Sequence, residues 1–274
     1  LDRCEAANTI PKIFYTNTST EYWNRSASLI HTDITGTEDV EVHSAVRIYH
    51  FTGTQHGPAD LPTMDEELPG NPVNFRLSHR ALLVALDDWV TQGLKPPESR
   101  HGKISDGTLV DRDRLAIVWP EMKWNLPERH RNPLRLDHGP DWHRGILGVE
   151  PPSLGERYPT LLPAVDKDGN EIAGIRLPEV ASPLGTFTGW RLRSEAMGAP
   201  WAIVGLQGFW LPFPQTSGSS DPRTAIHDRY RDRDDYIRRC RESAQDLIAE
   251  RYLLERDLDL VQYRAGELYD WAMR

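Results

Sequence analysis

The sequence predicts an α/β protein with a sheet near its start, a β-rich and loop-rich middle, and helices at its end. Three observations carry this. Residues 12–17 (Lys-Ile-Phe-Tyr-Thr-Asn) and 46–51 (Val-Arg-Ile-Tyr-His-Phe) are short runs rich in β-branched and aromatic residues, and each leads into a polar loop. Residues 76–91 place apolar side chains along one stripe of a helix. After residue 99 the pattern becomes short β segments punctuated by Gly and Pro, until helical spacing takes over at residue 221.

Composition bounds the function. At 274 residues the chain can form one large domain or two smaller ones. Apolar residues are only 38% of it, and 21 Pro, 20 Gly and 9 Trp predict irregular structure with aromatic packing. A net charge of −9 argues against a nucleic-acid partner, which needs a clustered basic face. The arginines of 223–241 alternate with Asp and Glu and read as a solvated helix face. No apolar run reaches the ~18 residues of a membrane span. Cys4 and Cys240 form no metal pattern, and a disulfide between them is allowed but not required. The first residue is Leu, which suggests a processed product or a piece of a longer chain, and leaves the compartment unread.

Taken in order, residues 1–8 read as the tail of a helix or a connector, and 12–17 as a buried parallel strand. Residues 21–30 follow as a short helix capped by Ser19 or Thr20. A polar loop over 31–45 leads to the clearer strand, 46–51. Residues 57–74, rich in Pro, Gly and acids, predict a long exposed loop. In the helix over 76–91, Leu82, Leu83, Leu86, Trp89 and Val90 supply the apolar stripe, and Gly93 and Pro96-Pro97 stop it. Residues 108–110 and 115–119 are expected strands. Residues 158–165 and 171–177 form an expected hairpin about Asp168-Gly169, and 202–206 and 209–213 are further β candidates. Asp221-Pro222 reads as a helix start. Tyr236, Ile237, Cys240, Ala244, Leu247 and Ile248 recur at helical spacing, and a second helix spans about 254–273.

The chemistry gathers in the loops after the two strands. Glu21 follows the first and His56 the second, and functional groups of open α/β sheets collect at the carboxyl ends of strands. An acyl-transfer enzyme needs a base for its nucleophile and a carboxylate that fixes the base's tautomer. Gly53 and Gly57 flank the histidine and would let the chain turn sharply. Asp33 is the competing acid.

The strings Tyr15-Thr16-Asn17-Thr18-Ser19-Thr20-Glu21-Tyr22-Trp23 and Phe51-Thr52-Gly53-Thr54-Gln55-His56-Gly57-Pro58 resemble a bacterial family of α/β-hydrolase domain proteins. Arg80-Ala81-Leu82-Leu83-Val84-Ala85-Leu86-Asp87-Asp88-Trp89-Val90, the segment 163–180 and Thr188-Gly189-Trp190 extend the resemblance over nearly the whole chain. It implies an α/β fold in which residues 1–98 are the C-terminal part of an α/β-hydrolase sheet. Residues 99–274 would then be a β-rich, loop-rich extension with C-terminal helices. It also implies serine-hydrolase chemistry on a small-molecule ester, with His56 as base, Glu21 as acid and no cofactor or metal. In this fold the chain order is nucleophile, acid, histidine, yet only ten residues precede Pro11, and Gly-x-Ser-x-Gly does not occur. Ser19 lies in the wrong order, and Ser105, Ser217, Ser219 and Ser220 lie in unsuitable loops. The expected nucleophile therefore belongs to an upstream segment or a second chain. The alternative is a non-catalytic binding module whose Trp-lined surface grips carbohydrate or a partner protein.

Weaker clusters remain. Asp137, His138, Asp141 and His143, with His130 nearby, hold metal-type ligands, but Gly139-Pro140 breaks any shared helix face, so polar loop roles are expected. Residues 166–171 lack the full ligand series of a calcium loop, and a hairpin turn accounts for them. Trp119, Trp124, Trp142, Trp190, Trp201 and Trp210 are expected to fill a loop-rich core or to line a cover over the site.

Overall fold

A computed structural model describes residues 1–61, 68–122, 124–218 and 220–274. Helix α1 (Asp2–Ala6) leads to β1 (Ile13–Thr18). Strand β1 turns at once into α2 (Ser19–Arg25), because Thr18 caps it and the Glu21 side chain reaches back to the Thr18 N–H. The expected helix over 21–30 is shorter than the sequence suggested: Ser26 takes a left-handed conformation, φ 58°, and a 3₁₀ turn, Ala27–Ile30, follows.

Strand β2 (Val46–Phe51) runs parallel to β1, with Ile13 opposite Val46 and Thr18 opposite Phe51. The two strands therefore end level, and helix α2 leaves β1 beside the loop that leaves β2. On its other edge β2 is bridged by Arg100 opposite Tyr49 and by Ile175 opposite Phe51, with the Ile175 N–H donating to the His50 carbonyl at 2.7 Å. Among the described residues, β1 pairs with β2 alone.

Helix α3 (Arg76–Thr91) buries Leu77, Ala81, Leu82, Ala85 and Trp89. Its apolar stripe is narrower than expected, since Leu83 and Val90 face solvent. The stretch 57–74 is only partly the exposed loop that its composition predicts. Leu68, Asn71 and Val73 are buried, and 62–67 lie outside the described residues.

The middle is irregular. Strand β3 (Leu109–Val110) is followed by α4 (Arg112–Val118), where a strand over 115–119 was expected. Asp111 decides this by accepting the Arg114 N–H at 2.7 Å as an N-cap. Strands β4 (Leu134–Asp137) and β5 (Ser153–Arg157) form an antiparallel pair on the surface that the sequence did not signal. Strand β6 (Leu162–Pro163) pairs with β3. The turn at Asp166–Gly169 forms, with Gly169 at φ 78°, but its arms separate after the Val165–Glu171 bridge. One arm joins β3, and the other is drawn to the edge of β2 through Ile175. Helix α5 (Pro178–Ala181) precedes β7 (Gly185–Phe187), which pairs with β8 (Trp210–Pro212). Residues 202–206 make a single bridge, Ile203 to Leu192, rather than a strand.

The helical end contains α6 (Ile226–Arg229), α7 (Arg233–Ala249) and α8 (Leu258–Ala272). Asp221-Pro222 does not start a helix, because the Asp221 carboxylate is taken by the Arg223 backbone and guanidinium. Asp232 caps α7 instead. Arg223 also departs from the solvated face expected for its segment. It is buried and donates to Thr186 Oγ1 and to the carbonyls of Leu211 and Pro212.

One core joins β2, α3, α5 and the strand pair β7–β8 to α7 and α8, through Tyr49, Phe51, Leu82, Phe187, Trp210, Tyr236 and Leu268. A second lies under α2, from Tyr22 and Trp23 to Leu115, Leu162, Trp190 and Phe209. Cys4 and Cys240 are both free thiols. Among the described residues no helix is long and apolar enough to cross a membrane.

Candidate functional site

The level ends of β1 and β2 bring the first turn of α2, which carries Glu21 where a loop was expected, against the loop that carries His56. His56 Nδ1 lies 2.6 Å from Glu21 Oε1. The second oxygen of Glu21 accepts the Thr18 N–H at 2.7 Å and the Thr18 hydroxyl. The capping box thus fixes the carboxylate in one orientation and leaves Oε1 for the imidazole. Glu21 is largely covered, its side chain 15% exposed, whereas His56 is 53% exposed. Because a carboxylate only accepts, His56 carries its Nδ1 proton and leaves the Nε2 lone pair outward. That nitrogen has no hydrogen-bond partner among the described residues.

The histidine loop is held from three sides. Gly53, at φ 66°, turns the chain out of β2, and its carbonyl accepts from Asn71 Nδ2 at 2.7 Å. Asn71 is buried and also donates to the Thr188 carbonyl at 2.8 Å, which ties the loop to the segment after β7. Gln55 Oε1 accepts from the Gly208 N–H at 3.0 Å. Gly57, expected to share the turn with Gly53, does not adopt a positive φ.

Beneath the pair lies a buried polar cluster. Ser19 Oγ donates to Glu171 Oε2, stands 3.3 Å from His50 Nε2, and accepts the Thr54 N–H at 3.2 Å. Glu171 Oε2 also accepts the Gly53 N–H at 2.9 Å. The Ser19 proton is spent on Glu171, so His50 Nε2 is the donor in its contacts. The Tyr22 ring lies tilted against His50, centroids 4.6 Å apart, and its hydroxyl meets His31 Nε2 at 3.0 Å. Burial, with Glu171 second, pushes the Tyr22 phenol up. Burial, then His101 and His50, pushes His31 down to about 3.

Of the residues singled out in the sequence, Glu21 and His56 come together and Asp33 does not join them. Asp33 folds its own exposed turn, accepting from the N–H groups of Thr35, Thr37 and Glu38, and the Thr35 hydroxyl leads in holding its carboxyl below the usual range. Ser19 is fully buried and turned away from His56. His130 bonds the Thr160 carbonyl, and His143 bonds the Pro140 carbonyl. Among the described residues no group of three His, Cys, Asp or Glu stands close enough to hold a metal. Trp190 and Trp210 are core residues, while Trp142 and Trp201 are exposed. Sequence reasoning missed Asn71, hidden in a stretch whose Pro, Gly and acids read as surface. It also missed Glu171, which hairpin-turn chemistry seemed to explain.

Residues 2–262 match the family model of an alpha/beta hydrolase domain. The chain belongs to that family, a hydrolase class, and its helices and small sheets are of the mixed α/β kind. No curated protein and no solved structure matches it.

Proposed function

We propose that this chain carries the acid and base of a serine hydrolase that cleaves carboxylic esters through an acyl-enzyme. The observation that supports this reading is the 2.6 Å contact between His56 Nδ1 and an otherwise pinned Glu21. With Nδ1–H held by the carboxylate, His56 Nε2 takes the proton of a serine as its oxygen attacks the ester carbonyl. It then returns that proton to the departing alcohol. Water repeats the sequence to release the acid. Glu21 keeps the tautomer and stabilises the imidazolium. No described serine, threonine or cysteine bonds His56 Nε2, so the serine is assigned to an upstream segment or a second chain. On this reading residues 1–98 form the end of the hydrolase sheet and 99–274 its extension, as in the bacterial family whose strings the chain resembles.

A fluorophosphonate probe tests it on the chain alone and on the chain with its in-frame upstream sequence. The expected label appears on the longer protein, and is lost in His56→Ala and in the variant of the upstream serine. Label on neither form would favour a binding module instead. Label on the shorter chain would place the nucleophile within it.

A further inference from the structure

Helix α2 carries Glu21 at one end, and at the other it borders a cleft of about 920 Å³. Asn24, Arg25, Arg129, Arg131, Trp201 and Ile203 are among the residues that line it. The volume falls within the range of sites that take drug-sized ligands.

The polar chemistry of this cleft is one-sided. No Asp or Glu lines it, on a chain whose net charge is −9. Among the described residues, no carboxylate forms an ion pair with Arg25, Arg129 or Arg131, though most arginines of α7 have one. Three backbone acceptors nearby are already used. The Arg131 carbonyl takes the Ser26 and Thr160 hydroxyls, the Trp23 carbonyl takes the Arg131 N–H, and the Asn24 carbonyl takes Arg25. Asn24 Nδ2 is buried without a partner. What remains is a surplus of donors: three guanidinium groups and an unsatisfied amide. Two of these bonds also pin the Arg131 backbone to the end of α2. Trp201, 55% exposed, offers a flat apolar face beside them.

We propose that this cleft binds an organic oxyanion, a carboxylate or phosphate monoester with a flat apolar body. Arg129 and Arg131 meet the anionic head, and Trp201 meets the body. Guanidinium groups pair with such oxygens in a planar fork and stack on aromatic faces. This site is independent of the ester-hydrolase reading, and its binding is measured without turnover.

Isothermal titration of the chain with 1-naphthyl phosphate, 1-naphthoate and uncharged 1-naphthol tests it. Saturable one-to-one binding of either anion is expected, with 1-naphthol at least roughly tenfold weaker. The difference between the two anions identifies the preferred head group. Arg129→Ala/Arg131→Ala should weaken the bound anion by at least roughly tenfold, and Trp201→Ala should weaken it several-fold. All three side chains are exposed, so the melting temperature of these variants should match that of the parent. Equal affinity for 1-naphthol, undiminished binding by the double-arginine variant, or no binding of either anion at millimolar concentration would each overturn the proposal.

Discussion

The Glu171 carboxylate accepts the Gly53 N–H at 2.9 Å across a separation of 118 residues. The same oxygen takes the Ser19 hydroxyl, so one buried acid fastens the start of α2 to the loop after β2. The Glu21–His56 contact is built on those two segments. Replacing Glu171 by Ala leaves a buried N–H and a buried hydroxyl unpaired, and should cost about 3 kcal/mol in urea unfolding. It should also broaden or abolish the downfield NMR signal of the His56 Nδ1 proton. An unchanged unfolding midpoint together with an unchanged proton signal would refute the bridging role.

Glu21→Gln keeps the shape of the acid but can present an amide to His56 Nδ1. On the proposed serine-hydrolase reading, ester turnover should fall by roughly 10²–10⁴. Asp33→Asn, in a separate surface turn, should leave turnover within about twofold of the parent. A reversed order of effects would make Asp33 the acid.

His31 is neutral in the folded protein down to about pH 3, because burial and two neighbouring histidines disfavour its cation. In the unfolded chain it protonates near its ordinary value of 6.5. Between those two values the unfolded state binds the extra proton. His31 therefore lowers stability as pH falls through that window, by about 1.4 kcal/mol per pH unit, and contributes nothing to the slope above it. His79, His101 and His130 are also shifted down, each chiefly by burial, and add to the trend below their ordinary value. Urea unfolding from pH 7.5 to 5 should show the loss, and His31→Gln should flatten it. Equal slopes in parent and variant would rule out a buried neutral His31.

Gly189 faces α2 so closely that an added Cβ would lie 2.4 Å from Ser19 Cβ and from the Thr20 nitrogen. Gly189→Ala should destabilise the protein by roughly 1–3 kcal/mol, as overpacking does. Gly57→Ala meets nothing within 4 Å and should stay within about 0.5 kcal/mol of the parent. Thermal and urea unfolding of the two variants, compared side by side, check the pair.

Strands β1 and β2 and the contact of Glu21 with His56 were legible because their signals are local: β-rich runs, a capping sequence, polar residues just beyond each strand end. The helices α3, α7 and α8 were legible for the same reason. What the sequence hid depends on distant partners. The hairpin expected over 158–177 opens because the edge of β2 captures Ile175, and nothing in the local pattern announces that edge. Arg223 reads as one of many surface arginines until Thr186, Leu211 and Pro212 close around it. Asn71 and Glu171 look like turn residues, and only the fold reveals them as the ties between loops.

The bridge from Glu171 to Gly53 also sets an order of events in time. Both segments of the candidate pair are synthesised within the first 56 residues, but the carboxylate that fastens them is made only with residue 171. At ribosomal speeds that delay is on the order of ten seconds. The core beneath β2 waits longer still, since Tyr236, Leu247 and Leu268 belong to it. A nascent chain would thus hold the acid and the histidine long before it could align them. Such late, long-range closure predicts slow folding through a partly ordered intermediate. Any chaperone acting on this protein would meet an unfinished core for most of that interval.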